Sequence, residues 1–400
     1  MERFDAVPDP RISSDYSMAE LLSGAVSMFL FKQGSRNAIN NSRHVDQFKA
    51  NYQSLWGLRL SHLDTVDAVL RVLEPEELGR VNAKLVSHLI SQKVWDKNKL
   101  LEKYYRVVID ATGIFSVPEG HCKNCLHKTS KNGVKTYFHN VLEAKLITPD
   151  GFAVSIASEW IENVGEYDKQ DCELKAFKRL AETIKRYFPR LPICIHADGL
   201  YPNKGFFDIC KKMDWRFIVT LKDASLKSLW EDIDLELLTS KYRAEVKGVK
   251  VEQTFRWLND LTYQTHKLSW IECVETKAAV TTRFVVVTDL KVDKKNVKAL
   301  STSGRLRFKI ENEGFNTQKN GGFELQHKYS RVSNNAMKNY YEILQIAHLF
   351  HQLYVLSTKV QPMLVGKTTL KHLWGLMVGA ITHRVIIPSD DCPAFQMRYG

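Results

Sequence analysis

The chain has 400 residues, of which 44% are hydrophobic, so it is long enough for two or three globular domains with sizeable cores. Its formal net charge is +12 and its pI is about 9.2, which favours a polyanionic partner. Seven cysteines, an odd number, and no signal peptide at the start indicate a reducing compartment such as the cytoplasm. The apolar stretch at 373–387 is broken by Thr382, His383 and Arg384, so no membrane helix is expected.

The positive charge is unevenly distributed along the chain. Between Arg283 and Lys338 there are twelve Lys or Arg and five Asp or Glu, which gives seven of the twelve net charges. A second basic run contains no acid between Glu119 and Glu143 and consists of Lys123, Lys128, Lys131 and Lys135. Both segments are candidates for contact with phosphates.

Residues 1–100 have the pattern of helices. A capping box at 17–20 precedes an apolar run to Phe31, and apolar residues recur at helical spacing over 66–73 and 81–90. Two interpretations stay open: a small helical bundle that only packs against the rest of the chain, or a DNA-binding or dimerisation domain.

The first strand follows at 105–110. Val107–Ile109 is a continuous apolar run, typical of a strand buried on both faces, and Asp110 comes where the run ends. A carboxylate held at the end of a rigid strand is well positioned to bind a metal ion. The alternative is that Asp110 only caps a turn.

The elements from 104 to 221 have a specific order. Strands are predicted at 134–147 and 152–161, so the first three strands form an antiparallel meander. A helix at 169–188, a buried strand at 193–197 ending in Asp198, a helix at 204–213 and a strand at 215–221 follow.

This order is that of the ribonuclease-H-like fold, a mixed five-stranded α/β sheet with helices. In that fold the first and fourth strands are neighbours, so Asp110 and Asp198 are expected to converge although 88 residues separate them. Two carboxylates forced together repel each other unless a divalent cation neutralises them.

Strand-like segments between 224 and 303 indicate a β-rich insertion, and a bent helix is predicted at 305–319. Glu311 is the preferred third acid, while Glu313, two residues further on, is its rival on the opposite face of a helix. Helices at 335–356 and 368–387 are expected to complete the outer layer of the fold. The predicted domains are therefore 1–100, 101–223, 224–303 and 304–400.

With these residues in place, the chain resembles the DDE transposases of bacterial insertion sequences, in the branch with a β-strand insertion, over roughly residues 105–350. That branch has the signature Tyr-x2-Arg-x3-Glu-x6-Lys. Arg307 and Glu311 match it, Lys319 lies one residue too far, and Gly304 stands where the Tyr is expected.

The resemblance implies phosphodiester chemistry in a bacterial cytoplasm, at the nucleoid. Asp110, Asp198 and Glu311 would hold two Mg²⁺ or Mn²⁺ ions. The partners implied are duplex DNA, both terminal inverted repeats and target, and a second copy of the chain on that DNA. The residues expected to contact DNA are Arg307, Lys309, Lys319, Lys123 and Lys128. The alternatives are another ribonuclease-H-like metal nuclease and a non-catalytic DNA-binding relic of a transposase.

The segment His121-Cys122-Lys123-Asn124-Cys125-Leu126-His127 has ligand types that suit zinc. It holds only one Cys-x2-Cys pair, so a loop with two free thiols is the preferred interpretation and zinc at Cys122 and Cys125 the alternative. His196 is interpreted as a core histidine, and Glu173 as an acid that complements a helix dipole.

Overall fold

The computed structural model describes residues 2–119, 122–165, 169–239, 243–247, 252–277, 280–330, 332–364 and 369–387. The chain divides into two compact units, one made of 1–94 and 313–400 and the other of 95–312. This division differs from the four predicted segments, because 224–303 share a unit with the residues before them. Within the described residues, no helix is long and apolar enough to cross a membrane.

In the 95–312 unit, the described residues form one mixed sheet of ten strands. The strands are β1 (Tyr105–Val117), β2 (Leu126–Thr129), β3 (Lys135–Ile147), β4 (Ala153–Ile161), β5 (Ile193–Ala197), β6 (Arg216–Thr220), β7 (Arg243–Lys247), β8 (Glu252–Tyr263), β9 (His266–Lys277) and β10 (Val280–Thr288). Their order is β2-β3-β1-β5-β6-β10-β9-β8-β7, and β4 pairs with β3 outside this path.

β1 lies between β3 and β5. Val107–Ile109 is fully buried, as a strand covered on both faces requires. β1 is antiparallel to β3, β3 is antiparallel to β4, and β5 is parallel to β1, which confirms the predicted meander and the predicted pairing of β1 with the strand before Asp198. The prediction that β1 ends at Asp110 is wrong, because β3 continues to pair with β1 as far as Val117.

The strands of the predicted insertion are present, but they extend the same sheet. β10 is antiparallel to β6, with Val286 opposite Thr220, and β9, β8 and β7 follow as antiparallel neighbours. One hydrophobic cluster joins Cys194 and Ile218 of the central strands to Phe255, Ile271 and Leu300. The insertion is therefore part of the core of this unit.

Helices flank the sheet at α7 (Glu173–Tyr187), α8 (Lys204–Lys212), α9 (Lys227–Thr239) and α10 (Val297–Arg305). α7 buries one face, which includes Phe177, Leu180 and Ile184. After α10 the chain forms a 3-10 turn at Leu306–Phe308 and a π-helical turn at Ile310–Asn316, where a bent helix or helix-turn was predicted.

The other unit is helical. Its helices are α1 (Glu2–Asp5), α2 (Met18–Leu30), α3 (Arg36–Ser42), α4 (Asp46–Trp56), α5 (Leu63–Val72), α6 (Pro75–Ser91), α11 (Thr317–Asn320), α12 (Asn334–Val355) and α13 (Leu370–His383). The Ser17–Glu20 capping box is confirmed. α12 packs against α2, α5 and α6, and Asn339 Nδ2 donates to the carbonyls of Leu70 and Leu73 at 2.8 and 2.7 Å. The late helices thus belong to the same compact unit as the N-terminal helices.

Candidate active site

Asp110 and Asp198 lie on neighbouring strands at the same level. In the parallel pair of β1 and β5, Val108 is opposite His196, and each aspartate comes two residues later along its chain. Both are half-buried, while His196 is fully buried as predicted. The strand pairing therefore brings together two carboxylates that are distant in sequence.

Asp110 lies among both positive and negative groups. Its Oδ1 accepts a hydrogen bond from the backbone N–H of Ala111 at 3.0 Å, and its Oδ2 is 3.4 Å from Arg307 Nη1. Burial raises the pKa of Asp110 above its usual value, the Arg307 charge lowers it, and the charges of Asp198 and Glu311 raise it further. Asp110 therefore keeps its proton to a higher pH than a solvent-exposed aspartate does.

Asp198 is oriented by the turn that follows β5. Its Oδ1 accepts a hydrogen bond from the backbone N–H of Leu200 at 2.8 Å, and Lys222 Nζ is 3.8 Å from its Oδ2. The Lys222 side chain passes so close to Gly199 that a Cβ there would lie 2.6 Å from Lys222 Cε. Glycine at 199 therefore lets the lysine reach the aspartate.

Glu173 is a fourth carboxylate that the sequence interpretation missed. Burial raises the pKa of Glu173, and the charges of Asp110 and Asp198 raise it further. Glu173 therefore lies close enough to both aspartates for their charges to act on it. The Tyr201 hydroxyl donates to Glu173 Oε2 at 3.4 Å, and burial raises the pKa of this tyrosine. One signal was available: Glu173 lies four residues before Phe177, on the face that α7 turns towards the sheet.

Glu311 is on the π-helical turn that follows Arg307. Its charge is among those that raise the pKa of Asp110. Its rival Glu313 belongs to the helical unit, where its backbone carbonyl accepts a hydrogen bond from Gln352 Nε2 at 3.4 Å. π-Helical turns are rare in proteins, and those that occur often lie at functional sites.

The cations predicted to bind DNA have different surroundings. Lys123 and Lys128 are exposed, whereas Lys309 and Lys319 are half-buried. The Lys309 ammonium is 6.0 Å from the centre of the Phe308 ring, and that of Lys319 is 5.6 Å from the centre of the Phe315 ring. Arg307 is paired with Asp110.

A cleft of about 710 Å³ has walls that include Arg307, Lys222 and Phe308. Two further arginines line it: Arg283 forms ion pairs with Glu272 and Asp223, and Arg305 forms one with Glu275. Phe308 is 48% exposed, an unusual position for a large apolar ring. The cleft combines positive charge with an exposed aromatic surface, a combination that suits a nucleic-acid strand.

Gly304 explains one departure from the transposase signature. A Cβ at this position would lie 2.9 Å from Val286 Cγ1 and 3.1 Å from Ile218 Cγ2, because α10 packs closely on β10 and β6. A tyrosine pointing in that direction would collide with the sheet. Glycine at 304 therefore permits the close contact between α10 and the sheet.

The donor set of the acids consists of carboxylate oxygens, which suit hard divalent ions such as Mg²⁺ or Mn²⁺. The charges of Asp198 and Glu311 raise the pKa of Asp110, and those of Asp110 and Asp198 raise the pKa of Glu173. A bound cation would relieve that repulsion. Potential metal ligands include histidine nitrogens, cysteine sulfurs and carboxylate oxygens. Among the described residues, however, the one group that brings three such atoms within 4.8 Å of one another is Cys122, Cys125 and His139, and not the acids. A divalent ion at the acids would therefore have to draw their side chains closer together.

Comparisons with protein-family models and with curated proteins found no match for this chain.

Proposed function

We propose that this chain is a DDE-type DNA transposase with a ribonuclease-H-like core. It would cleave DNA at the ends of a mobile element and join the freed 3′-hydroxyls to target DNA. The observation that carries the proposal is electrostatic: the charges of Asp198 and Glu311 both act on Asp110, and those of Asp110 and Asp198 both act on Glu173. Such clustering of half-buried carboxylates is typical of sites that work on phosphates through divalent ions.

The strand arrangement supports the same proposal. A meander of β1, β3 and β4 is followed by α7, β5, α8 and β6, with β5 parallel to β1. The extra residue between Glu311 and Lys319 falls in a π-helical turn, which contains one residue more per turn than an α-helix. That local geometry accounts for the longer spacing relative to the transposase signature.

The reaction would be two successive phosphoryl transfers. In the first, a water oxygen bonds to the phosphorus at the element end, and the 3′-oxygen leaves and takes up a proton. In the second, that 3′-hydroxyl loses its proton and attacks a phosphorus in target DNA, whose own 3′-oxygen leaves. Divalent ions held by Asp110, Asp198 and Glu311 would lower the pKa of the attacking oxygen and stabilise the leaving one.

The basic side chains would position the phosphates. Arg307 and Lys222 neutralise Asp110 and Asp198 in the absence of DNA. Phosphate oxygens would replace the carboxylates as their partners once DNA binds, since guanidinium and ammonium groups bind phosphate readily. Glu173, hydrogen-bonded to Tyr201, would hold or receive a proton near the reacting oxygens.

The test is a cleavage and strand-transfer assay with duplexes taken from the DNA on either side of the coding sequence. The full chain with Mg²⁺ or Mn²⁺ should nick these ends and join them to a plasmid. Asp110→Asn, Asp198→Asn and Glu311→Gln should each reduce both products by at least about a hundredfold, since each removes a ligand of the reacting ions. Their DNA binding should stay within about threefold, because binding rests mainly on basic residues.

Glu182→Gln is the matched control, because Glu182 is an exposed acid on the same helix as Glu173. It should retain full activity. Nicking without joining would instead indicate a metal nuclease of the same fold. Full joining activity in the Asp110→Asn variant would refute the proposal.

A further inference from the structure

Three side chains that are separated in sequence meet at the end of the sheet where β1, β2 and β3 pair. Cys122 Sγ is 3.3 Å from Cys125 Sγ, and both sulfurs are 3.2 Å from His139 Nε2. His139 is on β3, opposite Phe115 of β1, and is 2% exposed. Cys125 is 5% exposed, and Cys122 lies at the surface.

These distances are close to those of a tetrahedral zinc site. Zinc binds thiolate sulfur at about 2.3 Å and histidine nitrogen at about 2.0–2.1 Å, which places two sulfurs about 3.7 Å apart and sulfur and nitrogen about 3.5 Å apart. Shifts of a few tenths of an ångström would admit the ion. The two sulfurs are too far apart for a disulfide, whose bond is about 2.05 Å, and neither cysteine forms one.

We propose that Cys122, Cys125 and His139 bind a zinc ion, at a site independent of the carboxylates. The described residues supply three of the four ligands of a tetrahedral ion, which leaves the fourth position to water. The two thiols would each lose a proton on binding, so that two thiolates balance the charge of Zn²⁺. His139 lies fourteen residues beyond Cys125 on another strand, so the sequence around the cysteine pair did not reveal it.

The segment that carries the cysteines is already fastened to the chain leading into α7. Asn163 is 3% exposed, its Nδ2 donates to the Cys125 carbonyl at 3.0 Å, and its backbone N–H donates to the Asn124 carbonyl at 3.0 Å. Gln170 exchanges two hydrogen bonds with the backbone of His127, at 2.7 and 2.9 Å. Zinc would lock this segment to β3 and so fix the exposed Lys123 and Lys128 in place.

The first measurement is the zinc content of the full chain, purified under reducing conditions without chelator. About one zinc ion per chain is expected. After chelation, Co²⁺ alone should restore a thiolate-to-cobalt charge-transfer absorption. Less than about a tenth of an ion per chain together with no such absorption would overturn the proposal, as would a Cys122–Cys125 disulfide under reducing conditions.

Variants identify the ligands. Cys125→Ser and His139→Gln should each lower zinc affinity by at least about tenfold. The matched controls are His127→Gln, two residues from Cys125, and Cys172→Ser, an exposed thiol outside the cluster, and both should retain zinc. Asp110→Asn should also retain zinc, which separates this site from the proposed catalytic one. Loss of zinc in His127→Gln with retention in His139→Gln would refute the ligand assignment.

Because Cys125 and His139 are buried, their variants can fail to fold for unrelated reasons. The wild-type chain provides an independent readout. Zinc should protect the thiols of Cys122 and Cys125 from alkylation, chelation should expose them, and added Zn²⁺ should restore protection, while Cys172 reacts throughout. Equal alkylation of Cys122 with and without zinc would contradict the proposal.

Discussion

Lys32 is a buried amine among aromatic rings. Its Nζ lies 2.8 Å from the centre of the Phe323 ring and 5.5 Å from that of Trp374, and no described residue accepts a hydrogen bond from it. Burial lowers the pKa of Lys32 to about 6 and, together with the Lys32 charge, lowers that of His351 to about 3. The helical unit therefore keeps this lysine neutral near pH 7, at a cost in stability.

This cost predicts a pH dependence of unfolding. Between pH 6 and 10.5 the unfolded state binds the Lys32 proton and the folded state does not, so stability rises with pH by about 1.4 kcal/mol per unit. Lys32→Met should remove this slope and stabilise the chain at pH 7. Urea unfolding at pH 7, 8 and 9 measures the change of stability with pH. Lys84→Met is the control, because Lys84 is exposed. Parallel slopes in wild type and Lys32→Met would count against this account.

The clustered carboxylates are also predicted to lower the stability of the folded chain near neutral pH. The pKa values of Asp110 and Glu173 are raised in the folded state, so their stabilising contribution is present at low pH and is lost as pH rises through those values. Asp110→Asn and Glu173→Gln should therefore raise the melting temperature in EDTA at pH 7.5, by roughly 2–4 °C for each kcal/mol gained. Glu182→Gln should leave it unchanged.

Divalent cations should stabilise the wild type more than the Asp110→Asn variant. Mg²⁺ or Mn²⁺ should stabilise the wild type by relieving the repulsion and should stabilise Asp110→Asn much less. Thermal unfolding with and without each ion measures the difference. An equal shift in both proteins would mean that the acids bind no ion.

At the scale of elements, apolar runs were sufficient to predict the central strands, because burial on both faces leaves a continuous hydrophobic signal. Apolar residues at helical spacing predicted α7, which buries one face. The end of β1 was missed because pairing with β3 continues past the apolar run. The position of the late helices and the meeting of His139 with Cys122 depend on contacts distant in sequence. Local patterns do not contain that information. Glu173 was missed because its position at a helix start suited a dipole role equally well.

The close approach of α10 to the sheet predicts how Gly304 responds to substitution. Gly304→Tyr should destabilise the chain by several kcal/mol, because the ring has no space against Val286 and Ile218. Gly375→Ala on α13 is the control: a Cβ there meets nothing within 4 Å, so it should stabilise by up to about 1 kcal/mol. Denaturant unfolding compares the two. A stable Gly304→Tyr protein would show that position 304 tolerates the tyrosine of the transposase signature.

At the scale of the whole molecule, the net charge of +12 predicts salt-dependent binding to DNA. Arg283 and Arg305 should contribute little to this binding, because both pair with acids of the same unit. Replacing exposed Lys123 and Lys128 with Ala should reduce the log-log salt slope by about 0.9 per lost phosphate contact. Lys212→Ala, an exposed lysine on α8, should change it little unless α8 also faces DNA. Binding that hardly changes between about 50 and 200 mM salt would contradict this role.

For the proposed transposition, the active form is expected to be a dimer on paired DNA ends. One carboxylate site acts on one phosphodiester at a time, whereas moving an element requires reactions at both ends. α13 leaves Leu376 58% exposed, and Val385 and Ile387 after it are 72% and 81% exposed, so this region offers a surface for a second chain. Without DNA, the basic surfaces repel one another until phosphates neutralise them, and a monomer is expected.

Light scattering with and without a terminal-repeat duplex tests this expectation. Wild type should form complexes of two chains on DNA, and Leu376→Glu should reduce them at least tenfold because a charge at the interface opposes burial. Leu235→Glu, an equally exposed leucine on α9, should leave them intact. If a single chain cleaved and joined both ends at every protein concentration, the two sites would not be needed and the α13 surface would have no role in assembly.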